Sequence, residues 1–344
     1  MEAKLQISDN FITYSCNKVT MVENEEIIVL DKSDLTILST LAKNCRTSYR
    51  SIGSEVGLTS KSVKARVKKM LHHGVIEKFV VRVNPAAFGF MIVIVLVKTS
   101  NGMTKDDVMQ RVKQLGDLAY HVHHMGRTCV AALIIKKPFN DIAIQSLNHL
   151  LLPASVVSVT ILEVHSVSIN LSETDLRIIK CLVLSGARTE ISDIAREVGI
   201  SEKTTTRRLT KMKETKILDF SIQCSSSVMI GYIQFAIPII TTKFHRRSVL
   251  ERMYLEFQAN ILYSPSVIDS EDRLTFVLFA ENVFTVDSIL AKVTSFEGVK
   301  SADAYILTKW QYYDDWIVKE IDKRLQQRPS LMYGSTGINN TKYQ

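Results

Sequence analysis

The feature that most constrains this 344-residue chain is an internal repeat, in which two stretches match at an offset of about 141 residues. LDKSDLTIL at 30–38 aligns with LSETDLRII at 171–179. TSYRSIGSEVGLTSKSVKARVKKM at 47–70 aligns with TEISDIAREVGISEKTTTRRLTKM at 189–212. Identical pairs include Thr47/Thr189, Ile52/Ile194, Gly57/Gly199, Arg66/Arg208 and Met70/Met212. Solenoid arrays repeat every roughly 20–50 residues, so a period this long reads as duplication of a whole folding unit. Whatever one half builds, the other must echo.

Within each copy the apolar period changes partway along. The first copy starts with a helix capped by Asp31 or Ser33 that buries Leu35, Leu38 and Leu41. A short helix over 48–56 follows and is closed by Gly57, and a third helix is capped by Thr59 or Ser60, with Val63, Val67, Met70 and Leu71 facing inward. An alternating strand over 79–83 is expected to form a wing. Thereafter the period falls from 3.6 to 2, which predicts strands at 90–99, 118–124, 128–136 and 156–168, with helices over 104–115 and 139–151 between them. The second copy predicts the same order, with strands at 233–241, 259–267, 274–280 and 299–308 and helices over 247–257 and 283–294.

The expected fold class is therefore α+β, with two winged helix-turn-helix domains alternating with two ferredoxin-like β-α-β-β-α-β domains. The expected divisions are an N-terminal extension (1–29, offering an edge strand), first winged unit (30–86), first regulatory unit (87–170), second winged unit (171–228), second regulatory unit (229–310), and a C-terminal helix over 311–326 followed by a polar tail to 344.

Charge is distributed as unevenly as apolar pattern. Net charge is +8, yet residues 30–86 hold eleven Lys/Arg against four Asp/Glu, and residues 171–226 hold ten against eight. The rest of the chain is left with a net of −1, so the basic excess lies in the two helical units. Five scattered cysteines without a C-x-x-C pair argue against a disulfide framework or zinc finger and suit a reducing compartment. The acidic start lacks the apolar core of a signal peptide, and the longest apolar run, 88–97, is about half of what a membrane span needs. A cytoplasmic protein with no membrane partner is expected.

A helix that enters the major groove must show short polar and basic side chains outward while apolar ones hold it to the body. Ser60 to Lys69 fits, with five cations and no acid, and Ser60, Lys61, Lys64, Ala65 and Lys68 fall away from the apolar stripe. Arg66, Lys69 and the start of the second helix, Ser48 and Tyr49, complete the first set of expected double-stranded DNA contacts. The second set is Lys203, Thr206, Arg207, Arg208, Thr210 and Lys211. Glu202 and Glu214 dilute the charge there, so the first unit is expected to dominate affinity.

At these residues the chain resembles the Lrp/AsnC family of prokaryotic transcription regulators. The resemblance rests on Leu30-Asp31-x-x-Asp34-x-x-Ile37-Leu38, on Ile52-Gly53-x-x-Val56-Gly57-Leu58-Thr59-x-x-x-Val63-x-x-Arg66-Val67-x-x-Met70, and on Gly74-Val75-Ile76. It implies sequence-specific DNA binding by the winged units and pairing of the regulatory domains, here as an intramolecular pseudo-dimer with one sheet packed on the other. Members of this family also assemble into larger homo-oligomers. The family takes small effectors, often amino acids, near a Gly-x-x-Asp turn. The matching residues are Gly126, Arg127 and Thr128, but the acid is missing, and the second copy lacks the glycine.

No phosphate loop, nucleophile elbow or H-E-x-x-H occurs, so neither an enzyme nor a cofactor is expected. Sirohaem decarboxylases resemble paired units of this kind, which makes a tetrapyrrole-binding enzyme the alternative. Their arginine-rich segment after the wing is replaced here by Arg82-Val83-Asn84-Pro85-Ala86. A sensor or assembly protein that does not bind DNA is a third reading. His121 and His123 share a strand face at a spacing metals use, with His124 adjacent. No carboxylate or cysteine joins them at ligand spacing nearby, though Cys129 on the next strand could come close, so exposed strand histidines are expected and no metal site is assigned.

Overall fold

Capping residues set the helix starts. In the computed structural model, which describes residues 28–136, 140–162, 171–263 and 272–327, Asp31 caps α1 (Lys32–Lys43) through a reciprocal box with Asp34. Ser48 caps α2 (Tyr49–Val56), and Gly57, at φ +69°, closes it in the left-handed region where glycine is favoured. Thr59 caps α3 (Ser60–His72). Ile37, Leu38, Leu41, Ile52, Val63 and Met70 are fully buried between these helices, each contributing roughly 1.5–3 kcal/mol by leaving water. After α3 come β1 (Ile76–Val83), β2 (Phe90–Lys98), α4 (Lys105–Val112), β3 (Asp117–His124), β4 (Thr128–Lys136), α5 (Asp141–Leu151) and β5 (Ser155–Leu162).

The second copy repeats the plan. Its helical triplet is α6 (Glu173–Ser185), α7 (Ile191–Val198) and α8 (Glu202–Glu214), capped by Ser172 on α6 and Ser201 on α8. There follow β6 (Leu218–Cys224), β7 (Ile233–Thr241), α9 (Arg246–Phe257), β8 (Ile261–Tyr263), β9 (Arg273–Ala280), α10 (Val283–Thr294), β10 (Val299–Ala302), β11 (Tyr305–Tyr312) and α11 (Asp315–Gln326). The predicted continuations of strands over 163–168 and 264–267, most of the N-terminal extension, Cys16 and the tail beyond 327 lie outside the described residues.

Two connections differ from expectation. β1, anticipated as a wing, pairs along its length with β6 of the other copy, in an antiparallel two-stranded ribbon running from Ile76↔Cys224 to Val83↔Leu218. The reason is apolar: Val81, Val83, Phe220 and Ile222 are buried in the core that both helical units share. The regulatory sheets, expected face to face, are also joined edge to edge. Their strand order is β5-β2-β4-β3-β11-β7-β9-β8, with β10 beside β7. β11 starts against β7 (Tyr305↔Ala236) and then crosses to β3 (Leu307↔His124 through Tyr312↔Tyr120).

Helices cover one face of each sheet, giving two separate cores. One is built on Val93, Val95, Val97, Leu133 and Leu147, the other on Phe235, Ile237, Val249, Phe276 and Val293. The opposite faces contribute Ile92, Ala132, Val277 and Phe279 to the central core beneath the helical units. Trp310 lies there between Tyr120 and Tyr263, with ring centroids 6.1 and 4.8 Å away. Among the described residues no helix is long and apolar enough to cross a membrane.

Candidate nucleic-acid interface

The outward face of α3 follows from its inward one. With Val63, Val67 and Met70 buried, Ser60, Lys61, Lys64, Ala65, Lys68 and Lys69 stand exposed, and so does Leu71, expected to face inward but lying beyond the buried stripe. Lys61, Lys64 and Lys68 have no ion-pair partner among the described residues. Lys69 borders a small cavity of about 360 Å³ beside Asp31, Asp34 and Arg66. In α8, Thr205, Leu209 and Met212 turn inward, leaving Lys203, Thr206, Arg207, Thr210 and Lys211 exposed. Glu202 is exposed in the first turn of α8, where a carboxylate is favoured by the helix dipole.

Four of the residues expected at DNA have partners within the protein. Arg66 does not face outward as a free cation: its Nη1 donates to Asp31 Oδ2 at 2.8 Å and to Asp34 Oδ1 at 2.9 Å, tying α3 to α1. Arg208 donates in the same way to Asp175 Oδ1 and Ser172 Oγ, both at 2.9 Å. Burial alone would raise the Asp175 carboxyl, but hydrogen bonds from Ser172 and Arg208 outweigh it and hold the group below its ordinary 3.8. Tyr49 is half-buried under the Arg188 guanidinium, 4.5 Å from its ring centroid. Ser48 is exposed, but its hydroxyl accepts from Ser51 N to cap α2.

The helical units grip each other through a pair of equivalent arginines that sequence reasoning missed. Arg46 Nη1 donates to the carbonyls of Ala187 (2.8 Å) and Thr189 (2.9 Å). Arg188 Nη1 donates to those of Cys45 and, at 3.4 Å, Thr47. Each reaches the other's counterpart loop, as a two-fold contact requires. Their common place in the repeat was the available signal. A cavity of about 800 Å³ opens beside this contact, lined in part by Lys78, Phe79, Arg188 and Arg196. Arg82, in the segment that distinguishes the decarboxylases, pairs with Asp219 across the β1–β6 ribbon.

The turn marked for an effector joins β3 to β4. Gly126 takes φ +78°, and Met125 N donates to Ile306 O at 2.8 Å, fastening the turn to β11. Arg127 folds back so that its Nε donates to Thr99 O at 3.0 Å, and Thr128 Oγ1 meets His124 Nδ1 at 3.2 Å. The three histidines are buried, not exposed as expected, and Asp106 of α4 approaches two of them.

The AsnC-type helix-turn-helix domain family matches residues 30–71 and 171–213. The HTH-type transcriptional regulator Ptr1 of Methanocaldococcus jannaschii is 32% identical over 108 residues, 30% of this chain and 73% of its own. The regulator LrpA of Pyrococcus horikoshii is 25% identical over 115 residues, 33% of this chain and 82% of its own. Among solved structures, the siroheme decarboxylase NirDL overlaps 86% of this chain and 100% of its own at 12% identity, with a TM-score of 0.48.

Proposed function

The chain belongs to the Lrp/AsnC family of DNA-binding transcription regulators, with two AsnC-type units in one polypeptide, and from that premise we propose that α3 supplies most of its grip on the duplex. The supporting observation is the exposed row Lys61, Lys64 and Lys68, unpaired among the described residues and carried on a helix whose other side is buried. Ser60 precedes these cations and Ala65 stands among them, both small enough to let the helix approach base edges. α8 assists through Lys203, Arg207 and Lys211, weakened by Glu202. Arg66 and Arg208 set the angle of each helix without touching phosphate.

Reversing Lys61 and Lys64 to Glu tests this. DNA affinity, measured by fluorescence anisotropy across a salt series, should fall at least tenfold. The slope of log K against log salt should flatten by about 0.9 for each phosphate no longer neutralised. The same reversal at Lys203 and Arg207 should cost less. Unchanged affinity and slope in the first variant would remove α3 from the interface.

A further inference from the structure

On the helix-covered face of the first sheet, β3 carries His121 and His123, two residues apart and therefore on one side. From above, α4 lays Asp106 over them. One donor atom from each of the three lies within 4.8 Å of the others. His123 Nε2 is 3.8 Å from Asp106 Oδ1, and the two imidazole centroids are 4.8 Å apart with planes at 35°.

The nitrogens are what make this more than a cluster. His121 is 3% exposed and His123 8%, yet Nε2 of each is buried without a hydrogen-bond partner among the described residues. Orphaned buried polar atoms are uncommon because each forfeits its hydration. His121 Nδ1 lies 3.0 Å from the Tyr313 hydroxyl. With the Nδ1 proton donated there, the lone pair of Nε2 points into the shared space, the arrangement by which an outer partner orients a ligating histidine. Burial holds His121 down to about 4 and lowers His123, despite the opposing pull of Asp106.

We propose that His121, His123 and Asp106 form a site for one divalent transition-metal ion of the zinc class, with its remaining coordination open to water or a small donor. Metal–ligand bonds of about 2.0–2.1 Å bring tetrahedral ligand atoms to roughly 3.4 Å apart, so the trio must close slightly. The Asp106 side chain, 68% exposed, has the freedom to do so. His124 is excluded, since it stacks on Tyr305 at 4.7 Å and meets Thr128. Cys129 sits across from His123, but burial pushes its thiol up to about 11 and it stands outside the trio.

Lys309 of β11 is the built-in competitor, with Nζ 3.3 Å from Asp106 Oδ1. A bound cation would draw Asp106 away from Lys309 and so change a tie between the first unit and the strand joining the halves. This inference does not depend on which residues touch DNA.

The test uses the full chain, stripped with a chelator and titrated with Co²⁺ followed by absorption, then with Zn²⁺ and anaerobic Fe²⁺ in competition. The expected result is one equivalent bound, with visible bands of histidine–carboxylate coordination. His121→Ala with His123→Ala should abolish the bands. Because that variant removes buried rings and could unfold the sheet, Asp106→Asn provides an exposed second change, expected to weaken binding at least tenfold with the thermal transition intact. Lys309→Met should tighten it. No band in the native chain, or an unaltered titration in Asp106→Asn, overturns the proposal.

Discussion

At the scale of single residues, the decisive distinction is between cations that face solvent and cations that are used internally. Replacing Arg66 with Ala leaves Asp34, whose side chain is 9% exposed, without its partner. The expected cost is about 1–2 kcal/mol, kept modest because a third of Arg66 is exposed. A chemical denaturation curve measures it. For Arg208→Ala the pH dependence adds a check. The folded Asp175 carboxyl lies below 3.8, so its contribution to stability is complete above about pH 3.8 and is lost as pH falls through the folded value. Melting temperatures of the variant and the native chain should therefore differ at neutral pH and converge in strong acid. The lysine row of α3 is legible in the sequence because helical spacing alone puts Lys61, Lys64 and Lys68 opposite Val63 and Val67. Arg66 is misjudged by the same spacing, since its partner Asp34 lies 32 positions away. No periodicity reports that separation, though the equivalent pairs Asp34/Arg66 and Asp175/Arg208 of the two copies carried the hint.

Among elements, caps and helix limits are readable from local chemistry, while strand partners are not. The alternation that marks β1 is satisfied equally by a neighbour in its own unit or by β6. The shared apolar core selects β6. The ribbon and the crossed arginines together fix how the two helical units sit. Lysine keeps the charge but lacks the planar guanidinium, which here also lies over the rings of Phe220 (Arg46) and of Tyr49 and Phe79 (Arg188). Arg46→Lys with Arg188→Lys should thus loosen the junction, seen as faster amide exchange in β1, β6, α2 and α7. DNA affinity should fall with the salt slope unchanged, because the number of phosphates neutralised stays the same. A changed slope would mean that these arginines reach DNA directly. Asp106 is another long-range addition: it comes from α4 to His121, which it precedes by fifteen positions, a proximity that only the covering helix creates.

For the whole molecule, the two copies are similar but not interchangeable. α11 packs on α6, and its Trp316 inserts edge-on between Phe88 and Phe90, with centroids 5.9 Å from each. Lys180–Asp322 (2.5 Å) and Arg324 donating to Phe88 O (2.7 Å) flank it. Trp316→Ala should cost about 3–5 kcal/mol, the usual penalty for emptying a large buried aromatic site. Equilibrium unfolding in urea measures it, and a drop in stability below about 1 kcal/mol would show that the helix is a surface appendage. The duplication and the helix after 311 are plain in the sequence, but its seat against the first copy is not, because it is decided by Phe88 and Phe90 more than two hundred residues earlier. β11 has a last effect of its own. As the final strand of one repeat and the margin of the other's sheet, it means that neither repeat cut out alone would be a working half. The first would bare the backbone groups of β3, and the second would extend β11 from Leu307 onward with nothing beside it, so severed fragments would be adhesive species prone to self-association.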